Sequence, residues 1–171
     1  MQLLQRDPTA AGELLAETER LGRQALAEVR RLVDLLRDDE SEPGPPPGAG
    51  DLPALVARLR GAGMDVELET DGDVGRIADS AGLTLYRVAQ EALSNAARHA
   101  AGAAVRVQLR VGEGDARLRV RDWGAGAARA RDGEHGGNGL RGMHERVALA
   151  GGTVRAEPAD PGWEVECLIP M

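Results

Sequence analysis

Phenylalanine and lysine are both absent from this chain of 171 residues, tyrosine occurs once and tryptophan twice. With so few rings, a packed interior has to be assembled from Leu, Val and Ala, and the 42% hydrophobic content suffices for one. The 21 basic residues are all arginine, a coding bias rather than a functional signal. They are outnumbered by 28 acids, and a net charge of −7 with no concentrated basic patch argues against a nucleic-acid surface. The single cysteine, Cys167, excludes an intrachain disulfide and a cysteine-rich zinc site and suits a reducing cytosol. No apolar run approaches the roughly 20 residues that span a bilayer, and no signal peptide is evident. The expectation is a soluble, cytoplasmic chain without membrane contact.

What is present divides into three parts. Leu14, Thr18, Leu21, Ala25, Val29, Leu32 and Leu36 recur at three- and four-residue steps, which predicts a long amphipathic helix over 10–37 with a near-heptad seam. A lone helix of this kind is marginal in water, so the seam calls for a partner in a dimer or bundle. Ser41–Gly50 holds four prolines and three glycines in ten residues and predicts a linker over 41–50. Beyond it, Asp51 is placed to cap a short helix through Leu52, Leu55, Val56 and Leu59, and Met64–Thr70 alternates as a strand. Residues 83–100 read as a helix. Val105–Val111 and Leu118–Val120 flank a Gly112–Gly114 turn, and 140–147 reads as a short helix. Thr153–Glu157 and Trp163–Ile169 form a last hairpin. A two-layer α/β fold follows, with helices on one side of a mixed, largely antiparallel sheet.

Three stretches carry chemistry. In the helix over 83–100, Glu91, Asn95 and His99 stand at i, i+4 and i+8 with Arg98 beside them, which puts a carboxylate, a carboxamide, an imidazole and a guanidinium on one face. The first two suit a hard cation and the last two suit the phosphates that accompany one, although a solvated helix face would look the same in isolation. In Val120–Gly126 a strand delivers Asp122 to its end, where a carboxylate can accept from an exocyclic amine such as adenine's. Gly124 and Gly126 let the backbone approach a ligand. In Gly136–Met143 glycines lead directly into a helix, whose free N–H groups are available to phosphate. The ten residues between Gly126 and Gly137 offer no apolar anchor and make a candidate lid.

In this order the three stretches resemble the N, G1 and G2 boxes of the GHKL (Bergerat-fold) ATPases. Leu85–Ala100 followed by Gly139–Val147 is most similar to bacterial sensor histidine kinases of the nitrate-sensor-like class. The resemblance covers residues 52–170, and Ala25–Arg37 resembles the second helix of that family's dimerisation and phosphoacceptor hairpin. It implies three parts: 1–40 as that hairpin helix, 41–50 as linker, and 51–171 as the ATP-binding catalytic domain.

Carried over, the resemblance implies that Asn95 holds Mg²⁺, that Glu91 positions or polarises the attacking group, and that Asp122 reads the adenine amine above Gly124 and Gly126. Gly137, Gly139 and Leu140 would fall where the lid closes on the phosphates, with Arg98 and His99 at the phosphate end. Arg98 stands where many relatives have lysine. Trp123 occupies a position that is commonly small or polar, and is expected against the base or the lid hinge.

The family's acceptor is a His followed by Asp, and none of His99, His135 and His144 has that sequence. The chain is therefore expected to pass the γ-phosphoryl group of ATP to a histidine on another helix, for relay to a response-regulator receiver domain. The full-length protein is expected to be a homodimer, as the cytosolic part of a membrane-anchored kinase or as a soluble one. A serine kinase of the anti-sigma-factor type and a non-catalytic nucleotide-binding module remain as alternatives.

Overall fold

The computed structural model describes Thr18, residues 45–124 and residues 137–171. The helix expected over 10–37 (apart from Thr18), the first part of the linker, Gly126 and the candidate lid lie outside the described residues. Helix α1 (Leu52–Gly61) leads into strand β1 (Val66–Asp71), and helix α2 (Asp79–His99) into β2 (Val105–Val111) and β3 (Asp115–Asp122). Helix α3 (Gly137–Leu149) precedes β4 (Thr153–Pro158) and β5 (Trp163–Pro170). The strands form one sheet in the order β1-β2-β3-β5-β4. β1 and β2 are parallel and the remaining pairs antiparallel, so the sheet is mixed as expected. The parallel pair is possible because α2 supplies the long crossover between its strands.

Alternation decides which face the helices cover. Val105, Val107 and Leu109 of β2, Ala116, Leu118 and Val120 of β3, and Val165, Cys167 and Ile169 of β5 are buried. The residues between them point to solvent. α2 lies against the buried face through Leu85, Val88, Ala89, Ala92, Leu93 and Ala96. In the near-absence of rings, Tyr86 is buried and its hydroxyl accepts from Arg58 Nη2 at 3.3 Å. The outward face is laced with charge: Arg106 with Glu67 (3.4 Å) and Glu69 (3.4 Å), and Arg119 with Glu164 (3.1 Å). Exposed pairs of this kind contribute little stability each; they keep the sheet face wet. Among the described residues no helix is long and apolar enough to cross a membrane.

Three local details depart from the sequence reading. α2 begins at Asp79, four residues before the expected start at Leu83. Gly82 would ordinarily weaken a helix, but a Cβ there would lie 3.1 Å from Ala49 N, so the glycine admits the backbone of residues 48–49 against α2. Second, β1 starts at Val66 rather than Met64. Met64 N–H bonds Leu59 O (3.0 Å) and Gly63 N–H bonds Arg60 O (3.0 Å), with Gly63 at φ 95. This is a Schellman closure of α1, which uses up the residues expected to open the strand. Third, Asp51 stands at the start of α1 but makes no side-chain cap bond to it; its Oδ2 accepts from Gly48 N at 2.7 Å instead.

Cys167 is fully buried in β5, and burial pushes its thiol up from 9.0 to about 12. The folded state therefore holds the proton where the unfolded state gives it up. The stability this contributes is complete below the unfolded pKa and is lost as pH rises from there toward about 12. At pH 8 the expected result is no reaction with a thiol reagent until the chain unfolds. Fast labelling of the native chain would contradict the burial.

Candidate nucleotide site

α2 presents Glu91, Asn95 and His99 half-buried in one line along its exposed edge, because its apolar stripe has claimed the face against the sheet. Asn95 Nδ2 donates to Glu91 Oε1 at 3.3 Å. That contact turns the amide nitrogen toward the carboxylate and the carbonyl oxygen away from it, the orientation in which a carboxamide can hold a cation. The N-terminal end of α3 approaches the same carboxylate: a Cβ on Gly139 would overlap Glu91 Oε1. Only a glycine there lets Glu91 keep its place without moving. The structure thus brings Glu91, Asn95 and Gly139 together, with Leu140 half-buried beside them on α3. Gly137 opens α3.

Arg98 is turned aside from this line. It is exposed, and its Nη2 donates to Ser94 Oγ at 2.7 Å, one turn back on the neighbouring stripe. Ser94 is buried, and it is not among the residues that the helix face singles out. Its signal was visible in principle, as the residue four before an arginine on a helix.

Asp122 ends β3 on the inward, helix-covered face and is buried at 5% exposure. Its Oδ1 accepts from Gly124 N at 3.1 Å, an Asx-type turn that aims the carboxylate along the strand end. Gly124 is required by packing: a Cβ there would overlap Ala100 at the end of α2. A second close approach had no sequence signal. A Cβ on Gly162, in the β4–β5 turn, would overlap the carbonyl oxygen of Asp122. Strand alternation sends Trp123 to the outward face of the sheet, where the guanidinium carbons of Arg106 and Arg121 lie 5.5 and 5.2 Å from its ring centroid.

A groove of about 720 Å³ elsewhere, lined by Pro45–Pro47, the start of α2 and the end of α3, contains none of these residues. The described residues that line it include no Asp or Glu side chain. The candidate site residues lie on α2, at the end of β3 and at the start of α3. Among the described residues no three His, Cys, Asp or Glu side chains cluster to hold a metal. A cation here would take few protein ligands and complete its shell with phosphate and water oxygens, which is the habit of Mg²⁺. The Asn95 carbonyl and the Glu91 carboxylate fit that role.

The chain is 33% identical over 156 residues to the sensor histidine kinase MctS of Rhizobium johnstonii, covering 85% of this chain and 32% of that one. It is 33% identical over 169 residues to the sensor histidine kinase LnrJ of Bacillus subtilis, covering 94% and 38%. The oxygen sensor histidine kinase NreB of Staphylococcus carnosus is 37% identical over 95 residues, covering 56% and 27%. The chain thus spans about a third of the length of the curated relatives it matches.

Among solved structures, the histidine kinase domain of the blue-light activated kinase EL346 from Erythrobacter litoralis superposes with a TM-score of 0.57 at 20% identity. That match covers 96% of this chain and 88% of the other, and it concerns the fold alone. A family model matches residues 81–171, from the first turn of α2 to the last residue, and on that match the chain belongs to the histidine kinase-, DNA gyrase B-, and HSP90-like ATPases.

Proposed function

We propose that this chain is the ATP-binding catalytic part of a two-component sensor histidine kinase. It transfers the γ-phosphoryl group of ATP to a histidine on a partner helix, from which the group passes to an aspartate of a response-regulator receiver domain. The observation that carries the reading is the Asn95–Glu91 contact at 3.3 Å with the Gly139 backbone against the same carboxylate. One acid and one amide then stand where a glycine-bearing helix start can present N–H groups to phosphate. In the transfer, the bond between the γ-phosphorus and the bridging oxygen breaks, ADP leaves with the electron pair, and an N–P bond forms on the imidazole. Asn95 would hold Mg²⁺ and Glu91 would orient the attacking ring. Asp122 would accept from the adenine amine, with Gly124 and Gly126 beneath the base. Gly137, Gly139 and Leu140 would border the phosphates, with Arg98 and His99 at the same end. Catalysis would be positioning and charge neutralisation.

Residues 1–40 are assigned as the second helix of the dimerisation hairpin, 41–50 as linker and 51–171 as the catalytic domain, within a cytoplasmic homodimer of the nitrate-sensor-like class. The similarity to NreB and the seam of Leu14, Leu21, Val29, Leu32 and Leu36 support this. Calorimetric titration tests the site: with Mg²⁺ the chain is expected to bind ATP about tenfold or more tightly than GTP, because guanine presents a carbonyl where adenine presents an amine. Equal affinity would remove Asp122 from base recognition. Acid-stable phosphoserine on a partner, in place of acid-labile phosphohistidine, would favour the serine-kinase alternative.

A further inference from the structure

Trp123 sits between two arginines that ought to repel each other. Arg106 on β2 and Arg121 on β3 are direct cross-strand partners, and like charges so placed are unfavourable. Each guanidinium lies over the Trp123 ring, at 5.5 and 5.2 Å from its centroid. The Nε atoms of both arginines are buried without a hydrogen bond, Arg106 Nε lying 3.4 Å from Glu69 Oε1, and both guanidinium groups stand over the negative face of the indole. Arg106 carries the assembly on to β1 through its ion pairs with Glu67 and Glu69. Below the ring, Trp123 N–H bonds Ala104 O at 3.1 Å and extends the β2–β3 ladder one residue past its end.

We infer that Trp123 is a positioning residue for the nucleotide site, clamped by Arg106 and Arg121 on the outward face of the sheet so that Asp122, its neighbour, is held at a set angle on the inward face. Adjacent strand residues point to opposite faces, so the peptide between them cannot turn one side chain without turning the other. Asp122 also forms the 3.1 Å turn to Gly124, where even a Cβ would overlap Ala100, so the turn is packed against the end of α2. A rotation at residue 123 would therefore misdirect the carboxylate instead of being absorbed further along the chain. The indole acts from the outward face of the sheet, opposite Asp122. It fixes the direction from which Asp122 reads the base.

The inference rests on the adenine-binding role proposed for Asp122, and the test separates the two. ATP and GTP are titrated with Mg²⁺ at 10 °C into the full chain and its Trp123→Phe, Trp123→Leu and Trp123→Ala variants, each checked as folded by circular dichroism. Trp123→Leu and Trp123→Ala are expected to weaken ATP binding about tenfold, the scale of one or two cation–π contacts, and to shrink the preference for ATP over GTP toward unity. Trp123→Phe keeps a ring face and should stay within about threefold of wild type. A residue that merely supports the fold would lower the melting temperature and leave the ATP-to-GTP ratio unchanged at 10 °C. Wild-type affinity and selectivity in Trp123→Leu would overturn the inference, as would a Phe variant no better than the Leu variant. If Trp123→Ala does not fold, the Phe–Leu comparison decides alone. Failure of the wild-type chain to bind ATP would overturn the nucleotide-site reading itself.

Discussion

Gly162→Ala is expected to lower the melting temperature by roughly ten degrees, a loss of about 3 kcal/mol from one methyl group. Two effects add. Gly162 sits at φ 109, a conformation that L side chains rarely adopt. Its Cβ would overlap the carbonyl oxygen of Asp122 and stand 2.8 Å from that carbonyl's carbon and 3.0 Å from Trp123 Cα. All three are backbone atoms of the strand end, so no rotamer change relieves them. Gly102→Ala is the control: its φ is also positive, at 79, but a Cβ there meets nothing within 4 Å. It isolates the backbone term and should cost about 1 kcal/mol. Thermal melts of the two variants decide the matter. Equal shifts would mean that the close approach at Asp122 is not felt.

Asn95→Ala should abolish phosphoryl transfer while the fold barely notices. The test supplies an acceptor helix in trans, with a His-Asp sequence, and counts acid-labile label from ATP on that helix. The loss expected is about 100-fold or more, the usual consequence of removing a group that stabilises charge in the transition state. The structural cost is far smaller. Asn95 is half-buried, and its 3.3 Å bond to Glu91 is long, so no more than about 1 kcal/mol of stability depends on it. The contrast with Gly162 is instructive: there the methyl meets rigid backbone, whereas at Asn95 the lost atoms leave only a side chain that can rearrange. Transfer within a few-fold of wild type in Asn95→Ala would mean that Asn95 holds no cation.

Much of the architecture could be read from periodicity because the periodicity records burial. Val105, Val107 and Leu109 alternate with Arg and Gln because β2 is wet on one face only, and the same logic exposed β3 and β5. The helix through Glu91 and Asn95 was evident for the complementary reason, its apolar stripe leaving one line of polar residues on the open edge. Boundaries were harder to read. The expected start at Leu83 fell short because α2 runs back through Gly82, where the local cost of a helical glycine is set against the tertiary approach of Ala49. Asp51 stood as a cap and turned back to Gly48, as the backbone ahead of it curls over α2.

At the site, residue types were determined by the chain alone: a carboxylate, an amide and an imidazole at helical spacing, an acid at a strand end, and glycines ahead of a helix. Those types select the chemistry, because a hard cation, an amine and a phosphate each require particular donors and acceptors. Which of them meet was decided only in three dimensions. Gly139 comes to rest on Glu91 from 48 positions away, Arg98 settles on Ser94, and Gly162 lies on the Asp122 carbonyl. Trp123 stands on the outward face of the sheet between Arg106 and Arg121, a pairing of rings and charges that spacing along one strand does not show. The physical reason is the same throughout. Spacing along one element fixes what shares its face, but contacts between elements depend on how the sheet stacks its strands, and that order is settled by burial of the whole core.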